Sequence, residues 1–425
     1  MRHSTSAALV LGLTLTAAGA LACGRAAPPP PRNLLLITLD TLRADHLGAY
    51  GYDRPTSPAL DAFAARSTLF EDVTCSMPTT LPSHATIFTG LRPLQHGIRR
   101  NGERPPRDLL TLFDLLRERG AATAAVIASR VLGKTYLEGM GFDEVVFPGS
   151  ERQYQVRAQH VTTHAISWLE RPREGPFALW LHYYDPHEPY TPPRRLARAF
   201  DRGYAGELPD TLDIKTLVGL NDLPPGERPS PADLIHITDL YDAEIAYLDA
   251  HLGRLFDRLE TLGLLDDTLV AIVGDHGQAL GESSFFGHGL RLLEPVVKVP
   301  LILRLPGQTV PRRVADPVET VDLFPTVAEL FGLPAPAGLP GRTLTPALVG
   351  AALTAPRFRI IERRRYPDQP KVIGVALHGG DWKAVYYHDE DGRETRWLGR
   401  RTEGFDTVNL YDPASDEARW LETAR

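Results

Sequence analysis

The chain has 425 residues, 43% of them hydrophobic, enough to bury one large core with a smaller unit beside it. Its formal net charge is −7 and no Lys/Arg cluster stands out, which argues against a nucleic-acid partner. With only two cysteines, Cys23 and Cys75, a disulfide-stapled scaffold is also excluded.

Arg2 and His3 precede an uncharged apolar run from Ala7 to Ala22 that is short for a bilayer span and ends in Ala20-Leu21-Ala22. Residues 1–22 therefore read as a secretory signal peptide. Cys23 follows at once and resembles the acylated cysteine of a bacterial lipobox, although Ala20 stands where leucine is commoner. The alternative is plain signal-peptidase cleavage. The lipobox resemblance implies export across the inner membrane and a periplasmic or cell-surface lipoprotein anchored at Cys23, its only membrane contact. Residues 23–32, with Pro28 to Pro31, form a stiff spacer. A lipid on Cys23 would leave Cys75 without a disulfide partner.

Four apolar runs without polar alternation predict parallel strands covered on both faces. They are Asn33 to Leu39, Ala121 to Ala128, Phe177 to Tyr184 and Leu269 to Gly274. Pro193 to Pro229 is polar and weakly periodic, an expected surface excursion over the sheet edge. A long helix is predicted to start at Ser230-Pro231-Ala232-Asp233, with Ile237, Leu240, Tyr241, Ile245, Leu248, Leu252, Leu255 and Leu259 on one face. This alternation predicts a doubly wound, mostly parallel α/β domain over 33–355. Short β-like runs at Val372 to Leu377 and Trp382 to Tyr387 predict a smaller β-rich subdomain over 356–425.

Three of the strand runs end in an acid: Asp40, Asp185 and Asp275, the last followed by His276. In open parallel sheets ligands gather at the carboxyl ends of the strands, so these groups are expected to converge. Carboxylate oxygens with an imidazole suit a hard or borderline divalent cation; a single such Asp could equally cap a helix. Thr80 lies just before Pro82, where a helix would start, so its hydroxyl would feel the positive end of the dipole; a helix cap is the other reading.

The ordered motifs resemble the sulfatase family within the alkaline phosphatase superfamily. They run from Leu36-Ile37-Thr38-Leu39-Asp40-Thr41-Leu42-Arg43 through Pro82-Ser83-His84-Ala85 to Thr89-Gly90, with His96-Gly97 soon after. Asp185-Pro186-His187-Glu188-Pro189-Tyr190, Tyr241-Asp242-Ala243-Glu244, Gly274-Asp275-His276-Gly277, Asp322-Leu323-Phe324-Pro325-Thr326 and Trp382-Lys383 follow. The resemblance implies an alkaline-phosphatase-like fold, a cation (Ca²⁺, Mn²⁺ or Zn²⁺) on Asp40, Thr80, Asp275 and His276, and Thr80 as nucleophile. It implies His187 and His288 at the ester or leaving group. His182, Asp185, His187 and His288 are candidates for a second metal or for substrate; a histidine inside an apolar strand, such as His182, is more often a satisfied core residue. His84, where the family has arginine, and Asn101 are candidates for touching substrate, while Lys383 reads as structural.

Two departures bear on chemistry. Sulfatases proper oxidise a Cys or Ser to formylglycine within Cys-x-Pro-x-Arg; this chain has Thr80-Leu81-Pro82-Ser83-His84. Thr41 replaces the second Asp of the usual pair. A threonine beside Asp and His resembles the phosphodiesterases and phosphoethanolamine transferases of the superfamily. The expected activity is hydrolysis of a sulfate or, in preference, a phosphate or phosphonate ester, on a small molecule, glycan or lipid. A phosphoethanolamine-type transferase and a non-catalytic lipoprotein binding anionic glycans are the alternatives.

Overall fold

The computed structural model describes residues 30–353 and 359–364, and the backbone of strands within 373–400. The signal peptide, Cys23 and most of the proline spacer lie outside the described residues. Eight strands form the central sheet: β1 (Asn33–Leu39), β2 (Thr68–Phe70), β3 (Ala122–Ile127), β4 (Glu144–Val146), β5 (Phe177–Tyr183), β6 (Thr268–Gly274), β7 (Leu301–Arg304) and β8 (Arg312–Val314). Their order is β8-β2-β7-β6-β1-β5-β3-β4. Every neighbouring pair is parallel except the two that involve β7.

All seven residues of β1 are buried because helices cover both faces. Leu34, Leu36, Ala125, Ile127, Trp180, Ala271 and Val273 face one apolar layer. Into it pack α2 (Thr80–Thr89), α3 (Leu112–Glu118) and α6 (Leu323–Leu330) through Leu81, Ala85, Phe88, Leu112, Phe113, Phe324 and Val327. Leu35, Ile37, Leu39, Val126, Leu179, Leu181 and Ile272 face the other. That layer is closed by α1 (Pro58–Ala64), α4 (Ala158–Leu169) and α5 (Pro231–Thr261).

The predicted long helix is α5. Ser230 Oγ accepts from the Asp233 backbone N–H, and an Asp233 carboxylate oxygen accepts the Ser230 N–H at 2.8 Å. Such a capping pair contributes about 1 kcal/mol. Burial of Leu240, Ile245, Leu248, Leu252, Leu255 and Leu259 stabilises the helix far more, each side chain contributing about 1.5–3 kcal/mol. Within residues 193–229, Arg202 Nε donates to Asp239 Oδ1 of α5 at 2.7 Å, while Asn221 Nδ2 donates to Phe286 O at 2.9 Å beyond β6.

A second, antiparallel sheet consists of β9 (Arg359–Arg364), β10 (Ile373–Gly379), β11 (Trp382–His388) and β12 (Glu394–Arg400), in that order. Its first strand is tied to the main body: Glu362 N donates to Ser76 O at 2.8 Å and Arg92 Nη1 to Ile360 O at 2.8 Å. Lys383 falls on β11, its side chain outside the described residues.

Candidate active site

β5, β1 and β6 are consecutive in the sheet, so their carboxyl ends form one rim. Asp40 follows β1 and Asp275-His276 follows β6; all three side chains are fully buried. Asp275 Oδ1 accepts the backbone N–H of His276 at 2.7 Å and of Thr41 at 3.2 Å. Thr41 adopts the left-handed conformation, φ 54°, which for a β-branched residue costs on the order of 1–3 kcal/mol. Tyr241 holds it there, its hydroxyl donating to Thr41 O at 2.8 Å.

α2 brings the hydroxyl. Thr79 is its N-cap residue and Thr80 the first helical residue, so Thr80 is not the cap. Gly90, at φ 67°, ends the helix, where a Cβ would meet Phe324 at 2.8 Å. Ser83 Oγ donates to Asp275 O at 2.7 Å, fastening the first turn to the end of β6. Thr80 Oγ1 then lies 3.5 Å from His276 Nε2.

Acceptor atoms face one another at this point, beside the Thr80 hydroxyl. His276 Nδ1 is 3.1 Å from Gly277 O and donates to it, so Nε2 presents a lone pair. That lone pair lies 3.5 Å from Asp275 Oδ2 and 3.8 Å from Asp40 Oδ1. Both oxygens are buried without a hydrogen-bond partner. Buried polar atoms left in this way are costly, and a bound cation would relieve both oxygens. Asp40, Asp275 and His276 each offer a ligand atom, the three lying within 4.8 Å of one another. The residues present fit a divalent metal.

Burial would raise the Asp40 carboxyl, but the His182 hydrogen bond and neighbouring imidazoles hold it below the usual carboxylate range. Burial, then the Asp40 charge, pushes Asp275 well above that range. Burial, then His288, keeps His276 neutral.

A second cluster adjoins the first. The His288 ring lies 4.4 Å from that of His276, and its Nε2 is 3.1 Å from His187 Nε2. His187 Nδ1 donates to Glu188 O at 2.7 Å, so its Nε2 accepts, leaving the His288 N–H as donor between the two rings. Tyr184 stacks on His187 with ring centroids 4.2 Å apart. Glu188 is buried and accepts from Gln278 Nε2 at 2.9 Å. Neither Glu188 nor Gln278 was anticipated as a site residue. Glu188 lies inside the Asp185–Tyr190 motif; Gln278 has only its nearness to Asp275-His276 to signal it.

Three expectations need correction. Asp185 joins neither metal group: its oxygens accept Arg157 Nε at 2.9 Å and the Ala158 backbone N–H at 2.9 Å, the cap of α4, and it lines the cavity beside His187. His182 belongs to neither the second cluster nor a substrate surface. It is fully buried, its Nδ1 accepts the Ala128 N–H at 3.3 Å, and its Nε2 donates to Asp40 Oδ2 at 3.2 Å. His84 is fully buried, its Nδ1 donating to Thr80 O at 2.7 Å and its Nε2 accepting from Thr38 Oγ1 at 2.8 Å. Burial, then the neighbouring His182, lowers its pKa to about 3, so it is a neutral strut and not a substrate contact. Asn101 Oδ1 accepts the Leu81 N–H at 2.9 Å and braces the start of α2. The group that would receive a second metal or substrate is thus His187, Glu188 and His288.

A doubly wound sheet whose strand ends gather two carboxylates, an imidazole and a helix-borne hydroxyl defines an α/β ester hydrolase site of the metal-dependent kind. The Sulfatase family model matches residues 32–333, and the chain belongs to the sulfatase family of hydrolases. Among curated proteins it is 24% identical over 386 residues to the uncharacterized sulfatase YidJ of Escherichia coli, covering 80% of this chain and 75% of that one. It is 26% identical over 396 residues to iduronate 2-sulfatase of Mus musculus, covering 72% and 70%. The phosphonate monoester hydrolase of Agrobacterium radiobacter has the same fold, with TM-score 0.70, 20% identity and coverage of 92% and 93%.

Proposed function

We propose that this protein hydrolyses phosphate or phosphonate esters through a covalent intermediate on Thr80. The observation that carries the reading is Thr80 Oγ1 at the head of a buried helix, 3.5 Å from the His276 lone pair and beside two unpartnered carboxylate oxygens. A divalent cation held by Asp40, Asp275 and His276 would supply Lewis-acid charge that favours the alkoxide and polarises the ester.

The chain's own groups carry the steps. Thr80 loses its hydroxyl proton to solvent and its Oγ1 forms a bond to phosphorus as the ester P–O bond breaks. The His187–His288 pair, having first taken up a proton from solvent as an imidazolium, gives it to the departing alkoxide and returns to the neutral pair. Water then attacks phosphorus, the Thr80 Oγ1–P bond breaks, and the hydroxyl is restored.

Phosphorus is preferred over sulfur because of what Thr80 is. A formylglycine hydrate can eject sulfate by C–O cleavage, leaving an aldehyde. A threonine sulfate has no second hydroxyl on that carbon, so water would have to attack sulfur itself. Solved structures of this fold include both a sulfatase and a phosphonate monoester hydrolase, so the preference rests on Thr80 itself. The signal-like run and Cys23 support a lipid-anchored protein at the cell envelope, acting on small-molecule, glycan or lipid esters that reach it there.

The test is a panel of nitrophenyl sulfate, phosphate monoester, phosphate diester and phosphonate monoester, run with wild type and Thr80→Ala in defined divalent metal. Phosphorus esters should be cleaved faster than the sulfate, and Thr80→Ala should lose at least 10³-fold, roughly the cost of removing a covalent nucleophile. A dominant sulfatase rate, or a rate indifferent to the substitution, overturns the reading.

A further inference from the structure

Beside His187 lies a cavity of about 100 Å³ that is lined by both members of the Tyr184–His187 stack. It has room for a small polar group where several waters would otherwise sit. Its inner wall is an ion triad. Arg157 donates from Nε to Asp185 Oδ1 at 2.9 Å, from Nη2 to Glu244 Oε2 at 2.6 Å and from Nη1 to Thr191 O at 2.8 Å. Its guanidinium also lies 4.1 Å over the Tyr247 ring. One cation faces two carboxylates, both buried, so the wall is neutral to singly negative, according to whether Glu244 carries its proton. Burial raises Glu244 to about 8, with Arg157 pulling down and Asp185 pushing up. The lining continues with Gln153, whose Oε1 accepts the Ser150 N–H at 2.8 Å, with Gln155, and with Tyr184. Amides beside the aromatic side chain of Tyr184 suit a hydroxyl-bearing group with apolar C–H edges.

We propose that this cavity receives the leaving alcohol of the ester and selects hydroxylated groups that are neutral or carry an amine, against those bearing a carboxylate. The inference rests on the ester-hydrolase reading above and adds the substrate class to it. A carboxylate placed here would be desolvated beside a wall whose cation is already committed on three nitrogens. An ammonium or a hydroxyl meets no such conflict.

The experiment uses three aryl esters, prepared both as phosphonates and as sulfates, with phenols of matched acidity bearing a remote hydroxymethyl, aminomethyl or carboxymethyl group. In wild type at 0.15 M salt, about the ionic strength at which exposed charges are screened beyond some 8 Å, kcat/KM for the carboxymethyl ester should be lower by roughly tenfold than for the other two. Gln155→Lys, which adds a cation to the lining, should narrow or reverse that ratio. Assayed at pH 9, above the value of about 8 to which burial raises Glu244, Glu244→Gln removes a charge from the inner wall and should narrow the ratio. Equal kcat/KM for all three esters, or a Gln155→Lys effect that is the same for each, overturns the cavity assignment while leaving the hydrolase reading intact. Failure of wild type to cleave any of the six overturns both.

Discussion

His182 Nε2 lies 3.2 Å from Asp40 Oδ2, a contact set by the parallel register that pairs Thr38 on β1 with His182 on β5. The Ala128 N–H at its Nδ1 fixes the tautomer that donates to Asp40. One carboxylate oxygen is thereby satisfied and the other turned toward His276. Such an orienting partner is typically worth ten- to a hundredfold in metal affinity. His182→Ala should weaken divalent-metal binding by about that factor, measured by titration calorimetry, with the far-ultraviolet circular dichroism unchanged. Equal affinity in the variant would remove His182 from the site.

Asp40 and Asp275 form a buried carboxyl pair whose facing oxygens have no hydrogen-bond partner, and burial with the Asp40 charge disfavours the ionised form of Asp275. Without metal this arrangement opposes folding. Asp275→Asn should therefore raise the melting temperature of the metal-free protein. Wild type should gain about 2.7 kcal/mol of stability at metal concentrations a hundredfold above Kd, a gain the variant lacks. Differential scanning calorimetry with and without a chelator reads both. A metal-free Asp275→Asn protein that melts lower than wild type would show that the pair is not strained.

The features legible from the chain are those encoded locally. Unbroken apolar runs mark β1, β3, β5 and β6, and an acid at a run's end marks Asp40 and Asp275. The same logic misassigns Asp185 to a metal, since a strand's end does not say what the next side chain meets. The α4 N-terminus and Arg157, more than twenty-five residues before it in the chain, hold it instead. His84 looks available because it stands in place of an arginine; only packing against Thr38 and Trp180 reveals it as buried. Glu188 and Gln278 meet across 90 residues, and no local pattern announces that contact.

Asn101 shows how a loop serves the nucleophile. Its Oδ1 accepts the Leu81 N–H, one of the helix-start donors with no partner inside α2. Asn101→Ala should cost about 1 kcal/mol in stability. Because the loosened turn carries Thr80, kcat should fall several-fold, while metal affinity, set by Asp40, Asp275 and His276, stays the same. A variant with unchanged kcat would make Asn101 a purely structural cap.

His84 and His96 give the protein an acid limit. Burial, first among the causes for each, lowers both to about 3 from the ordinary 6.5. The unfolded chain takes up these protons as pH drops below 6.5, whereas the folded chain resists until about 3. Their contribution is therefore complete above pH 6.5 and is lost progressively as pH falls toward 3, at about 1.4 kcal/mol per unit for each group. Melting temperature should decline between pH 7 and pH 5 more steeply in wild type than in His84→Gln, which has no proton to gain at that position. The variant should be less stable than wild type at pH 7, because glutamine cannot both donate to Thr80 O and accept from Thr38 Oγ1 in the same geometry, and the two curves should approach each other toward pH 5. Parallel curves across that range would mean that His84 is already protonated in the folded protein, or is not shielded from water.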